Sequence, residues 1–437
     1  MNIRNLPSRI AVVGGGPVAL TAAIGFAQAL PDATVHWIPM PVAEAALADR
    51  WPLVLPSAQA MLARLDCPPD LLRRHGVATP RLATRFDDWS PDGAFWMVAD
   101  EPAPASPGIA LHQLWLRAGS KTGFHTLNPA CVAADAGNVP PAMQPALHCS
   151  APALTQGLAS LARQSGVVTA TAPLARVARG SIGVEALDLS DGRRIAVDLV
   201  IDATGPDRLV ATGQGFEPWD AYLPFRHLRI VPDATPPSPI DRYRAVDGGW
   251  SARWPGARAS ASAKRDASGG AMTIEPGRLA APLRDNVLAL GDAAVQPGLL
   301  GLTGFTLALA GLALALELLP VGDDMALLAA EYNRRVNQRS DRMRDYLAAH
   351  QLCLKPNAEA MPPSLAATLA QFARRGTLPP VDEDSVERDA WIAVLIGQGL
   401  RPERADPIAL GLSRDEARRA LGNWAGQARA AAGKRTA

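Results

Sequence analysis

The sequence predicts an α/β chain: a Rossmann-like nucleotide-binding domain, a β-rich region inserted in it, and a helical carboxyl-terminal region. Three segments predict the first part. Ala11-Val12-Val13-Gly14-Gly15-Gly16-Pro17-Val18-Ala19 is a glycine turn between an apolar run and an Ala-rich stretch. Leu199-Val200-Ile201-Asp202-Ala203-Thr204-Gly205 and Asn286-Val287-Leu288-Ala289-Leu290-Gly291-Asp292-Ala293-Ala294 are two further apolar runs that end in small residues and an acid. In the first turn, bare N–H groups at a helix start suit a pyrophosphate. Gly14 and Gly16 allow the tight turn and close approach, and Ala19 takes the third small position. Alone, such a turn implies only close packing.

The opening reads as a β-α-β unit: a strand to Val13, a helix to Leu30 and a short strand from Thr34 to Ile38. The acidic residue that ordinarily ends the second strand and holds a ribose hydroxyl is missing at Ile38-Pro39-Met40, which predicts weaker binding at the adenosine end. Residues 78–150, rich in Pro, Trp and Phe, read as strands and loops. A helix is expected from Ala153 to Gln164, where Leu154, Leu158 and Leu161 recur at helical spacing. Pro-rich residues 231–240 precede a strand-like region ending in Gly248-Gly249-Trp250-Ser251-Ala252-Arg253-Trp254-Pro255. After Gly291-Asp292 come Pro297, then Gly301 and Gly304 opening a long apolar helix. From about Asp323 the chain reads as helices broken near Pro362 and Pro379, and no internal repeat is evident.

At 437 residues the chain can bury a sizeable core in two or three subdomains. A net charge of +1 argues against a dedicated nucleic-acid binder. Cys67, Cys131, Cys149 and Cys353 stand far apart without paired metal spacing, so a reducing compartment with no structural metal is expected. Met1 to Arg9 is polar and leads straight into the first strand, which argues against a secretory signal and for the cytoplasm. Leu299 to Leu316 is apolar enough to suggest a membrane span, but Gly301, Gly304 and Gly311 and the preceding Gly-Asp pair favour a buried helix.

The Gly-Asp strand with Pro297, Gly301, Thr303 and Gly304 resembles the second FAD fingerprint of the flavoprotein hydroxylases, and Leu199–Gly205 resembles the strand that closes the same site. The resemblance implies an FAD-binding domain of the flavoprotein monooxygenase type, formed by residues 1–77, 151–215 and 276–322. Residues 78–150 and 216–275 would form the substrate region, and 323–437 the helical region. It further implies FAD contacts at Gly14, Gly16, Ala19, His148, Asp202, Gly205, Gly291, Asp292, Pro297, Gly301, Thr303 and Gly304.

Over nearly its whole length the chain resembles the flavin-dependent tryptophan halogenases. The motifs are the Gly14–Gly16 turn, Arg85-Phe86-Asp87-Asp88-Trp89, Leu147-His148, Tyr222-Leu223-Pro224, Ala245 to Pro255 and the Gly-Asp strand. Glu331-Tyr332-Asn333-Arg334-Arg335, Arg344-Asp345-Tyr346 with His350, and Trp391 to Gly399 extend the match. Three positions depart. Arg81 stands where the family has a lysine, eight residues before the tryptophan matched by Trp89; Gly301 replaces a glutamate two residues before Thr303; Ala252 replaces the second tryptophan of a Trp-x-Trp-x-Ile-Pro signature. A guanidinium stays protonated and is a poor nucleophile, so it does not form a haloamine as a lysine does.

Reduced flavin and dioxygen supply an electrophilic oxygen that an electron-rich ring attacks without a lysine. The scaffold and its departures therefore point to an FAD-dependent monooxygenase of an aromatic, indole-type substrate. The pattern is similar to halogenase-like flavoproteins that hydroxylate a peptidyl tryptophan during quinone cofactor biogenesis. Arg81 is the first catalytic candidate, as a fixed cation, with a structural ion pair as the alternative. Asp87 is the candidate base, with a solvated turn as the other role for it or Asp88. Trp89, Trp250 and Trp254, with Phe305, are candidate substrate walls, although core packing is the commoner fate of tryptophan. His148 is expected at a strand-to-helix start. Two alternatives stand beside this reading: an indole halogenase, and a noncatalytic flavin-fold binding protein. The partners expected are an aromatic substrate, free or within a protein or peptide, and a separate flavin reductase where reduction is not internal; neither nucleic acid nor membrane is expected.

Overall fold

The protein is described from a computed structural model that covers residues 6–103, 108–265, 270–319, 325–354 and 360–433. The expected start of the helical region at Asp323 lies outside these residues. Contacts divide the chain into two units: Met1–Ala78, His148–Asp220 and Met272–Arg342, and Thr79–Leu147, Ala221–Ala271 and Met343–Ala437.

The first unit is α/β and Rossmann-like. Strand β1 (Arg9–Val13) leads through the glycine turn into helix α1 (Pro17–Ala29), strand β2 (Thr34–Ile38) and the short helix α2 (Leu47–Arg50). Pro17 opens α1, where its missing N–H costs nothing because the first helical N–H groups have no intrahelical partner. The helix is buried on nearly all sides over its first ten residues, which explains its Ala-rich, uncharged sequence. β1 lies parallel between β2 and Leu199–Asp202, and the latter pairs in parallel with Val287–Ala289. The three sequence segments thus end side by side, because parallel strands bring their carboxyl ends to the same edge. The apolar Leu300–Glu317 stretch is 78% buried within the protein, consistent with a core helix. It packs on α1 and α2.

The second unit is built on a mixed sheet. Strands run in the order His227–Pro232, Ala257–Ser262, Gly249–Trp254, Ile240–Val246, Ala83–Asp87 and Trp96–Ala99; Ile240–Val246 and Ala83–Asp87 pair in parallel, and the other neighbours in this order are antiparallel. Inward positions alternate with outward ones along Ile240–Val246, so Asp241 and Tyr243 are buried while Arg242 and Arg244 are exposed. Residues 78–150, expected as strands and loops, also contain two helices among the described residues. Leu111–Ala118 spans barely two turns and stops at Gly119 in the left-handed region; Pro129–Asp135 starts from an Asn128 cap on the Ala130 N–H. Both are too short for periodicity to stand out, and the packing of each against the long helix Arg414–Ala432 supplies what propensity does not.

Candidate functional site

The glycine turn of the first unit is closed by steric fit. Gly14 has φ +149°, and a Cβ there would stand 2.3 Å from the Ala203 carbonyl oxygen; a Cβ on Gly15 would stand 1.8 Å from the Met40 carbonyl oxygen. Larger residues are excluded by backbone, not by movable side chains. Ala19 is buried directly beneath the turn. Trp37 Nε1 donates to the Gly14 carbonyl at 2.8 Å and fixes it from the β2 side.

Asp202, at the end of its strand, is fully buried and its carboxylate is saturated by the protein. It accepts from the Thr204 N–H and hydroxyl at 2.9 and 2.6 Å and from the Val210 and Ala211 N–H groups at 2.8 and 2.7 Å. The structure therefore gives it the task of folding the 204–211 loop, where Gly205 takes φ +72° against Ala46.

Asp292 differs. Its Oδ2 accepts from the Ala48 N–H at 2.7 Å, but its buried Oδ1 has no hydrogen-bond partner among the described residues. The buried Thr303 hydroxyl likewise has none. Between them run Pro297, buried, and Gly301, which takes φ +72° and is followed by Leu302 at φ +55°. Gly304 opens the long helix against Ala48, where a Cβ would come within 3.2 Å. Phe305 is fully buried in the same helix. Orphaned buried polar atoms ordinarily mark a missing partner. A glycine turn shaped for close approach, with an unsatisfied carboxylate oxygen and hydroxyl on the neighbouring segment, fits a group that carries both a pyrophosphate and a polyol, as FAD does.

One residue at this site gave no sequence signal. Asp49, in α2, reaches the start of α1, where its Oδ1 accepts the Val18 N–H at 2.9 Å. Its carboxyl lies so close to Gly16 that a Cβ there would stand 2.2 Å from Oδ1. Burial pushes Asp49 up to about 7, against the lowering effect of the Val18 bond. Burial likewise pushes Asp292 up to about 8, with the Asp49 charge adding to the rise.

In the second unit Arg81 is buried between two aspartates. Its Nη2 and Nε meet the Asp100 carboxylate at 2.6 and 2.9 Å, and its Nη1 meets Asp241 at 2.9 Å. Burial works against its charge, but Asp100 and Asp241 outweigh that and raise its pKa. Asp87 accepts from Arg85 Nε at 2.8 Å and points to the opposite side of its strand from the buried Phe86. Arg244 lies 3.5 Å from Asp88.

Trp89 and Trp250 join one buried aromatic cluster with Phe86, Trp96, Tyr243 and His350. Phe86 stacks on Trp96 at 4.1 Å and meets Trp89 edge-on at 5.2 Å; Tyr243 lies 5.4 Å from Trp250. Trp89 Nε1 donates to the His350 carbonyl, while the buried Trp250 Nε1 has no hydrogen-bond partner among the described residues. Trp254 is also buried. Burial holds His350 down to about 4, so its ring is neutral near pH 7. His148 is buried on the strand Ala146–Cys149, just before the helix Ala151–Gln164. Among the described residues there is no His/Cys/Asp/Glu cluster fit for a metal, and Cys67, Cys131, Cys149 and Cys353 form no disulfide.

Comparison with known proteins accords with this architecture. The family model described as tryptophan halogenase matches residues 9–256 and 256–414. The fold is similar to that of BrvH, a flavin-dependent halogenase from Brevundimonas sp. BAL3, at 22% identity and TM-score 0.88, covering 98% of this chain and 97% of that one. Xcc4156, a flavin-dependent halogenase from Xanthomonas campestris, is similar at 21% identity and TM-score 0.88, covering 98% and 96%. SttH, a tryptophan 6-halogenase from Streptomyces toxytricini, is similar at 20% identity and TM-score 0.86, covering 98% and 97%. A search of curated proteins gave no match. The family match spans most of the chain, and the chain belongs to the tryptophan halogenase family.

Proposed function

We propose that this chain is a flavin-dependent oxidoreductase that modifies an electron-rich aromatic ring of the indole class. The observation that carries the reading is the family match from residue 9 to 414 on a first unit whose Asp292 Oδ1 and Thr303 hydroxyl await partners. FAD is the cofactor of the family and would supply the oxidising chemistry when bound. In this chain the Gly14–Gly16 turn would receive its pyrophosphate, and Asp292 and Thr303 would hold its polar atoms. The buried Trp250 N–H has no partner among the described residues, and the surrounding rings exclude bulk solvent from it.

Halogenation is the reading the family and the similar structures favour. The second reading, transfer of oxygen to the ring of a free or peptidyl tryptophan, is favoured by Arg81. That side chain is buried, always charged and held by two carboxylates, so it presents no reactive amine. Lys121 and Lys264, the lysines among the described residues, are both exposed. Either reaction needs reducing equivalents, for which a separate flavin reductase is the proposed source. Titrating the FAD-loaded protein with tryptophan and with tryptophan-containing peptides is expected to perturb the flavin absorbance spectrum. A spectrum unmoved by every indole tried would count against this substrate class.

A further inference from the structure

The start of α1 is already engaged by an acid of the chain itself. Asp49 Oδ1 accepts the Val18 N–H at 2.9 Å and its carboxyl covers Gly16, the position that ought to be left bare for an incoming phosphate. The adjacent Ala48 N–H is bound by Asp292, whose other carboxylate oxygen is buried without a partner among the described residues. Two buried carboxyls therefore stand close together, Asp49 bonded to the start of α1 and Asp292 to α2, beside the turn where a dianionic pyrophosphate is expected. Three negative groups in a site of low dielectric repel one another strongly unless one takes a proton.

We propose that Asp49 occupies the anion seat of the glycine turn, and that FAD binds there with uptake of a proton by Asp49, so that cofactor loading is controlled by pH. The proposal rests on the FAD reading above. The groups facing the two acids are few. Arg208, from the loop after Leu199–Asp202, acts on Asp292; Glu275 and Asp202 act in turn on Arg208, and Asp202, at the end of its strand, is consumed by its own four hydrogen bonds. Arg50, next to Asp49, turns its guanidinium to the Ala43 and Val42 carbonyls. The helix α1 contains no ionisable residue, and Gly304–Glu317 contains one, at its far end. Neither acid has an ion-pair partner within 4 Å among the described residues; burial raises Asp292 to about 8 and Asp49 only to about 7, so near pH 7.5 Asp49 is the acid that is mostly charged and has a proton to gain.

The direction follows from linkage: a ligand that binds the protonated form more tightly weakens as pH rises past the free group's pKa, by up to about tenfold per pH unit. FAD affinity of the purified full chain, followed by quenching of flavin fluorescence from pH 5.5 to 9, is expected to be level below about 6.5 and to fall above about 7.5. Asp49→Asn should flatten the profile and bind FAD about 30-fold more tightly than the native chain at pH 8.5. Asp292→Asn should retain the slope. Calorimetric titration of the native chain at pH 7.5 in buffers of different ionisation heat gives a readout independent of any variant, and proton uptake is expected. A native affinity independent of pH, no proton uptake, or a slope kept in Asp49→Asn and lost in Asp292→Asn would each overturn the proposal. Failure of the native chain to bind FAD at any pH would overturn both this inference and the FAD reading.

Discussion

Replacing Arg81 with alanine is expected to destabilise the second unit by about 3–5 kcal/mol, the range found when one partner of a buried ion pair is removed. The cause is what remains. Asp241 is fully buried and Asp100 nearly so, and without the guanidinium both carboxylates must either stay charged in a poor solvent or take up protons. Urea unfolding at pH 7.5 would measure the loss. Adding Asp241→Asn to the alanine variant should recover part of it, since one of the stranded charges is gone. Arg81→Lys should retain more stability than alanine, because an ammonium still opposes the two aspartates, yet it replaces a planar fork with a single point charge. That lysine would also lie buried between carboxylates. It is therefore not expected to create halogenating activity, although it introduces an amine at this position. An alanine variant as stable as the native chain would contradict the structural role given to Arg81 and revive its candidacy as a catalytic cation.

The second large effect is expected at Asp202. One carboxylate satisfies the Thr204, Val210 and Ala211 N–H groups and the Thr204 hydroxyl, so alanine would strand several buried donors together. Each unsatisfied buried donor costs roughly 1–3 kcal/mol, partly offset where water enters the space left by the side chain. A net loss of about 3 kcal/mol is expected. Hydrogen exchange would localise it: protection of the Val210 and Ala211 amides should fall far more than that of β1, whose hydrogen bonds are to neighbouring strands. Equal protection in variant and native protein would show that the loop does not depend on this carboxylate.

These two residues also show where sequence reading reached its limit. The strand ending at Asp202 was legible because its motif resembles the strand that closes an FAD site; its parallel pairing with β1 comes from the structure. What the carboxylate does was not legible, since its donors lie up to nine residues later in a loop whose path is set by packing. Arg81 is clearer still. Its partners are 19 and 160 residues away, and nothing in the spacing distinguishes a cation facing a ligand from one enclosed by two acids. Asp49 left no trace because its role depends on α2 folding back onto the glycine turn, a contact across 31 residues. The aromatic cluster was half visible: Trp89 and Trp250 were singled out by motif, but their shared neighbours Tyr243 and His350 arrive from other elements. The glycine turn was visible locally, since tight turns and close approaches restrict residue size wherever they occur, but it took its force as a cofactor site from the Gly291-Asp292 segment far downstream.

The central claim, flavin-dependent modification of an indole ring, is tested most directly by mass spectrometry of products formed by the purified protein. It would be given reduced FAD, air, bromide and tryptophan, free and within peptides. The account predicts a product that requires both flavin and oxygen, carrying bromine if the family reaction is retained. Oxygen gained without bromine would replace halogenation with the oxygen-transfer reading that the buried Arg81 favours, and no flavin-dependent product from any indole would contradict the account.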